Sequence, residues 1–269
     1  MSIVKHNFKS IRDLVKYISD KPLNSVFKNT HKTMLASSEE GSYRVSFTKT
    51  SSLDEAMDLL LHGWNDEAKK IEGRLKADKK INATDKYSKV SFDVIGHQAS
   101  VPRYLQGIPT NMVNKKTIVK KQPVITIVKN IGYNGDVSAE RIYEESIKAL
   151  KIIKSIEASG VRVNLDVIKY TVGNKQSTCT RIRLKNASER LNVSKMAFPL
   201  VHPSMLRRIM FAYMERCEEL TDTGFRVGYG RSENSHSALK AQVKPNEYVL
   251  PGFINNIDET IKEIGLKIK

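Results

Sequence analysis

The stretch that most limits how this chain can fold is residues 123–160. Val124-Ile-Thr-Ile-Val128 is an unbroken apolar run, the pattern of a strand covered on both faces of a sheet. After a short polar interval, Ser138 is placed to cap a long helix. Its inner side carries Ile142, Ile147, Leu150, Ile153 and Ile156, and Gly160 is placed to end it. A strand that feeds an amphipathic helix packs that helix back onto its own sheet. The following residues continue the alternation. A strand is predicted over 161–170, a turn at Gly173-Asn174, and a hairpin partner over 178–184. A mainly helical segment then spans 193–220, broken near Pro199 and Pro203, with a short strand at Tyr248-Val-Leu-Pro251 and a closing helix from Asp258 to the C-terminus. The expected fold class is α/β, a three-layer sandwich with helices on both faces over residues 122–269.

Residues 1–121 read as a smaller mixed helical and strand region. Ser10 precedes Ile11, Leu14, Val15 and Ile18, an amphipathic helix stripe. Ser42-Tyr-Arg-Val-Ser-Phe-Thr48 alternates and predicts a strand. Ser52 and Glu55 form a capping box, and Gly63 is suited to stop that helix in a left-handed conformation. Trp64 then opens a second amphipathic run through Ala68 and Ile71, which predicts that the ring packs on the core and is not a platform for bases. Residues 76–88 are polar and lysine-rich and predict a loop, followed by a strand at Val90-Ser-Phe-Asp-Val-Ile95 and a short turn or single helical turn from Val101 to Gly107.

The order of elements from Gln122 onward resembles the von Willebrand factor A fold. The likeness lies in a hydrophobic strand, a turn, a long helix ending in Gly160-Val-Arg-Val, a hairpin and another helix. Members of that family hold a divalent metal in an Asp-x-Ser-x-Ser loop. Here the matching stretch is Asn130-Ile-Gly-Tyr-Asn134, which lacks the carboxylate and both hydroxyls, so no metal is expected there. The whole chain also resembles an uncharacterised family common in phage genomes and their bacterial relatives. That likeness is carried by Ala56-Met-Asp-Leu-Leu-Leu-His-Gly-Trp64, Asp93-Val-Ile-Gly-His97, Val101-Pro-Arg-Tyr-Leu-Gln-Gly-Ile-Pro109, His202-Pro-Ser-Met-Leu-Arg-Arg208 and Val249-Leu-Pro-Gly252.

Charge is the main pointer to function. The formal net charge is +16, of which residues 1–121 carry +9, so the surplus runs through the whole chain. An excess of that size implies anionic partners, nucleic acid first among them. Arg181, Arg183 and Lys185 alternate with Ile182 and Leu184, so a strand would put three cations on one exposed face. Lys115 and Lys116, with Lys120 and Lys121, crowd the approach to another strand, and Arg207 and Arg208 follow on a helix. Gly224-Phe-Arg-Val-Gly-Tyr-Gly-Arg231 can be read in two ways. It is either a phosphate cradle, with Arg226 and Arg231 supplying charge and Phe225 or Tyr229 a stacking surface, or an ordinary glycine-rich connection.

Catalytic motifs are missing. There is no Gly-x-Ser-x-Gly elbow and no Walker loop, and Cys179 in mid-strand reads as a buried structural thiol. No histidine lies near a cysteine at ligand spacing in the sequence, so zinc and other cofactors are not expected, and His97 reads as a turn residue or a satisfied hydrogen-bonding one. The expected function is that of a basic, non-enzymatic protein binding nucleic acid through phosphates. The alternative is a metal-independent protein-interaction module, a virion or assembly component or a factor that binds a host or phage protein. No apolar run is long enough to span a membrane, and the start lacks the apolar core of a signal peptide. The expected location is therefore the cytoplasm (the host's, for a phage gene) or the virion.

Overall fold

The computed structural model describes residues 2–28, 35–37, 42–75, 86–119, 124–221, 229 and 231–264, with backbone alone at 42–44, 86–89 and 116–119. The chain opens with strand β1 (Ser2–Phe8) and helices α1 (Ile11–Asp20), α2 (Ser25–Lys28), α3 (Ser42–Thr48), α4 (Leu53–His62) and α5 (Asn65–Arg74). Strands β2 (Lys86–Asp93) and β3 (Gln98–Ala99), the short helix α6 (Val101–Leu105) and strand β4 (Met112–Val119) follow. Next come β5 (Val124–Asn130), α7 (Ala139–Ala158), β6 (Arg162–Val172), β7 (Gln176–Lys185) and α8 (Val193–Val201). A π-helical turn (Met205–Met210) leads into α9 (Phe211–Arg216), and β8 (Arg231–Ser232), α10 (His236–Lys240), β9 (Glu247–Leu250) and α11 (Ile257–Glu263) complete the described chain.

The main sheet has the order β1-β7-β6-β5-β9, with β8 joining β6 alongside. β5 runs parallel to β6 and β9, β6 and β7 form the antiparallel hairpin, and β1 lies parallel to β7 at the edge. β5 is thus an interior strand, as its apolar run predicts, with Ile127 and Val128 wholly buried and Val124 exposed at its start. Ser138 caps α7 through a hydrogen bond from the Arg141 N–H, and all five of the predicted inward residues of that helix are buried.

Two expectations are corrected. Residues 42–48 form helix α3 and not a strand. A seven-residue polar/apolar alternation suits either element, and tertiary contacts decide: the Arg207 guanidinium lies 4.2 Å from the Phe47 ring and donates to the Phe47 carbonyl. The helices are also shared unevenly between the two faces of the main sheet. α1, α4, α5, α7, α8, α9 and α11 share one continuous core on one sheet face. The other face carries a small cluster of Val128, Ile168, Cys179, Leu239 and Val249, over which α10 is the helix among the described residues. β1 and Leu14, Leu60 and Ile71 place residues of the N-terminal region in this same sheet and core.

Local signals behave as read. Gly63 ends α4 at φ +93, where a Cβ would come within 2.7 Å of the Ser194 hydroxyl. Trp64 packs half-buried on the core, edge-on to His202 at 4.8 Å. The loop predicted over 76–88 lies outside the described residues from 76 to 85, and its end is corrected: residues 86–88 belong to strand β2, paired with β4. β2, β4 and β3 build a separate three-stranded sheet.

Candidate anion-binding cleft

Period two puts Arg181 and Arg183 on one face of β7, with Ile182 in the core on the other, but an irregularity opposite Leu165 and Asp166 ends the alternation, and Lys185 sits opposite the core residue Leu165 and pairs with Glu157 of α7. That face is not the exposed cationic surface the alternation suggested. Arg181 pairs with Asp166 and also with Glu247 (2.7 Å), and Arg183 pairs with Asp166 from the other side. Burial opposes the Arg181 charge, but the hydrogen bonds it donates to Glu247 and the field of Asp166 outweigh it and raise the guanidinium above its ordinary value. Lys185 is 2% exposed, pairs with Glu157 at 2.6 Å, and donates to the carbonyls of Val163 and Asn186. The fold supplies three carboxylates to these three cations, because buried like charges persist only when each is paired.

The remaining predicted residues do not gather around them. Lys115 is exposed on β4 in the separate sheet, opposite Val90, and Lys116 is its neighbour there, its side chain outside the described residues. Arg231 pairs with Val172 at the end of β6 distant from Leu165, the partner of Lys185; seven residues of strand separate the two ends, about 23 Å. Arg226 and Phe225 lie outside the described residues. Tyr229 is not an open stacking surface: its ring lies 4.0 Å from that of Phe211, nearly parallel, and its hydroxyl is hydrogen-bonded to Glu215. Arg207 and Arg208 are buried pins, Arg208 donating to the Thr50 carbonyl at 3.0 Å.

What the fold does build is a basic cleft of about 440 Å³ where β1 and β7 end. Lys9, Ser10, Ile11 and Arg12 form one side, Arg183 to Asn186 the floor, and Glu189, Arg190, Asn192 and Lys195 the far side, with Leu60 and Leu61 of α4 behind. Arg183 and Lys185 thus line it with their charges already matched. Lys9, Arg12, Arg190 and Lys195 are all exposed and make no ion pair among the described residues. A second recess of about 440 Å³, lined by Lys9, Arg181, Arg183 and Lys244 with Asp166 and Glu247, adjoins it and shares Asn186.

Two helices begin at this cleft. Ser10 caps α1 by accepting from the Asp13 N–H, and Asn192 caps α8 by accepting from the Lys195 N–H. Each helix still presents its first N–H groups and the positive end of its dipole. Cations beside a helix N-terminus are repelled by that dipole, and α8 has no acidic residue in its first turn. Lys9-Ser-Ile-Arg12 and Arg190-Leu-Asn-Val-Ser-Lys195 therefore place positive charge where helix electrostatics alone disfavours it. An anion between the two helix starts removes the conflict. That misplacement was the signal in the sequence that could have found the cleft; counting clusters of cations passed over it.

Elsewhere the site-like residues serve the fold. Asn130, at the position of the missing metal-loop carboxylate, accepts from the Gly132 N–H and donates to Asn234. Cys179 is buried, and burial pushes its thiol up to about 11, so it is a thiol and not a thiolate at neutral pH. Among the described residues, no helix is long and apolar enough to cross a membrane.

No curated protein and no solved structure matches this chain. A family model described as a domain of unknown function, DUF7192, matches residues 2–267. With that match running over nearly its whole length, the chain belongs to the DUF7192 family.

Proposed function

We propose that this protein binds nucleic acid through its phosphates, without catalysing a reaction, and that the cleft at the ends of β1 and β7 is where it does so. The observation that carries this reading is the set of Lys9, Arg12, Arg190 and Lys195, four exposed cations that make no ion pair among the described residues, around a cleft into which two helix N-termini open. Arg183 and Lys185 hold the floor in place, their charges offset by Asp166 and Glu157. Among the described residues no aromatic ring lines the cleft, which favours recognition of the backbone independent of sequence. Filter binding over a salt series tests it. Four phosphate contacts give a slope of log affinity against log salt of about −3.6 for duplex and about −2.8 for single strands. A protein that binds neither form at low salt sinks the proposal.

The order β5, α7, β6, β7, α8 supports reading residues 122–269 as von Willebrand A-like, and the short motifs quoted above support a phage-type affiliation. One observation favours the second reading, a protein-interaction module. The small sheet and α6 expose Ile95 and Leu105 (each 78%) together with Val94, Val101 and Tyr104, an apolar ledge of the kind that marks a protein contact. A host or phage protein whose binding is lost on I95S/L105S substitution, with nucleic-acid binding absent, would favour that reading.

A further inference from the structure

His6, Cys217 and Glu219 are far apart in sequence and adjacent in space. β1 carries His6, Cys217 closes α9, and Glu219 sits in the turn that follows. One ligand atom from each lies within 4.8 Å of the other two. His6 Nε2 is 3.2 Å from Glu219 Oε1, and Cys217 Sγ is 3.5 Å from Glu219 Oε2. Around a tetrahedral zinc ion with ordinary bond lengths, nitrogen and oxygen ligands stand about 3.3 Å apart and sulfur and oxygen about 3.5 Å apart. The two measured separations match these values, although they run to different oxygens of Glu219, and all three ligand atoms lie within 4.8 Å of one another.

The support behind the three side chains is also in place. The Tyr213 hydroxyl is 2.7 Å from His6 Nδ1, which sets the ring so that Nε2 faces Glu219. The same hydroxyl lies 3.7 Å from Cys217 Sγ. The turn bearing Glu219 is held from two sides. Asn24 donates to the Cys217 and Leu220 carbonyls, and Gln176 donates to the Glu219 carbonyl at 3.0 Å. Cys217 is wholly buried, His6 is largely covered by the rings of Phe8, Tyr17 and Tyr213, and Glu219 is more than half exposed. Solvent therefore reaches one side only, where a fourth ligand belongs.

We propose that His6, Cys217 and Glu219 bind one zinc ion, with solvent in the fourth position. A thiolate and an imidazole select a borderline or soft cation over magnesium or calcium, and thiolate plus carboxylate neutralise a divalent charge. The ion joins the edge strand β1 to the end of α9, and the site stands independently of the anion cleft.

Cobalt(II) is the probe. The purified full chain, stripped by chelator, is titrated with cobalt while the absorption spectrum is recorded. One equivalent is expected to give a thiolate-to-cobalt charge-transfer band with tetrahedral visible bands, both erased by zinc. C217S should abolish the charge-transfer band, and C179S should leave it intact. E219Q changes an exposed side chain, so the protein stays folded, and together with H6Q and Y213F it should weaken binding by roughly tenfold or more. Absence of the charge-transfer band, its survival in C217S, or unchanged affinity in both E219Q and H6Q overturns the site.

Discussion

Replacing Lys169 with Met should stabilise the protein at neutral pH and remove part of its pH dependence. Lys169 is buried on β6, its ammonium 2.7 Å from the Met214 sulfur and 5.1 Å from the centre of the Phe211 ring, and no carboxylate among the described residues pairs with it. Burial pulls its pKa from 10.5 down to about 7. Lys129 is also held near 7, by burial partly offset by Glu145. At roughly 1.4 kcal/mol per pH unit, each drop corresponds to about 5 kcal/mol. Between the folded and unfolded values the unfolded chain binds more protons, so stability rises with pH; below about 7 both states are protonated and the penalty is complete. From about pH 7 to about pH 8.5 each lysine should add stability on the order of 1–2 kcal/mol. Above about pH 9 the trend reverses. Burial pushes Cys179 and Cys217 up to about 11 and Tyr17 to about 12, so these groups ionise first in the unfolded chain. A Met at 169 fits beside Met214 and Phe211, and a gain of about 1–4 kcal/mol at neutral pH is expected. Urea unfolding followed by circular dichroism across this pH range measures both effects. A K169M protein less stable than the parent near pH 7, or a parent whose stability is flat from about pH 7 to about pH 8.5, refutes the reasoning.

Three further outcomes are expected. G63A must hold a Cβ at φ +93 against Ser194 and should lose about 2 kcal/mol or more, read as a lower urea midpoint at unchanged slope. D166N removes the carboxylate between Arg181 and Arg183; it should cost about 3–5 kcal/mol and, in the folded fraction, steepen the salt dependence of nucleic-acid binding as Arg183 loses its carboxylate while Arg181 keeps Glu247. Burial lowers the His202 pKa to about 4, so stability should be lost as pH falls from about 6.5 toward 4, and H202Q should flatten that limb in acid unfolding curves.

Much of the fold could be read from local signals because those signals were strong and had one solution. The apolar run of β5, the Ser138 cap, the Ile142-to-Ile156 stripe and Gly160 each allow one local structure, and together they order the second half. Residues 42–48 did not, since their alternation is short and Arg207, far along the chain, settles the outcome. The site was half legible. Period two placed Arg181 and Arg183 together, but it could not foresee the irregularity that turns Lys185 away from them, nor what faces the three: Asp166, Glu247 and Glu157 come from three other elements. His6 and Cys217 stand over two hundred residues apart in sequence, so ligand spacing along the chain could not reveal them.

The central claim is that location, and not total charge, decides anion binding. Two double variants that each remove two exposed cations test it directly: K9A/R12A at the cleft, and K115A/R231A away from it. Salt-dependent binding of a duplex oligonucleotide is measured for both beside the parent protein. The account predicts that K9A/R12A lowers the magnitude of the salt slope by about two while K115A/R231A leaves it unchanged. Equal losses in the two variants, or a loss confined to K115A/R231A, would contradict it.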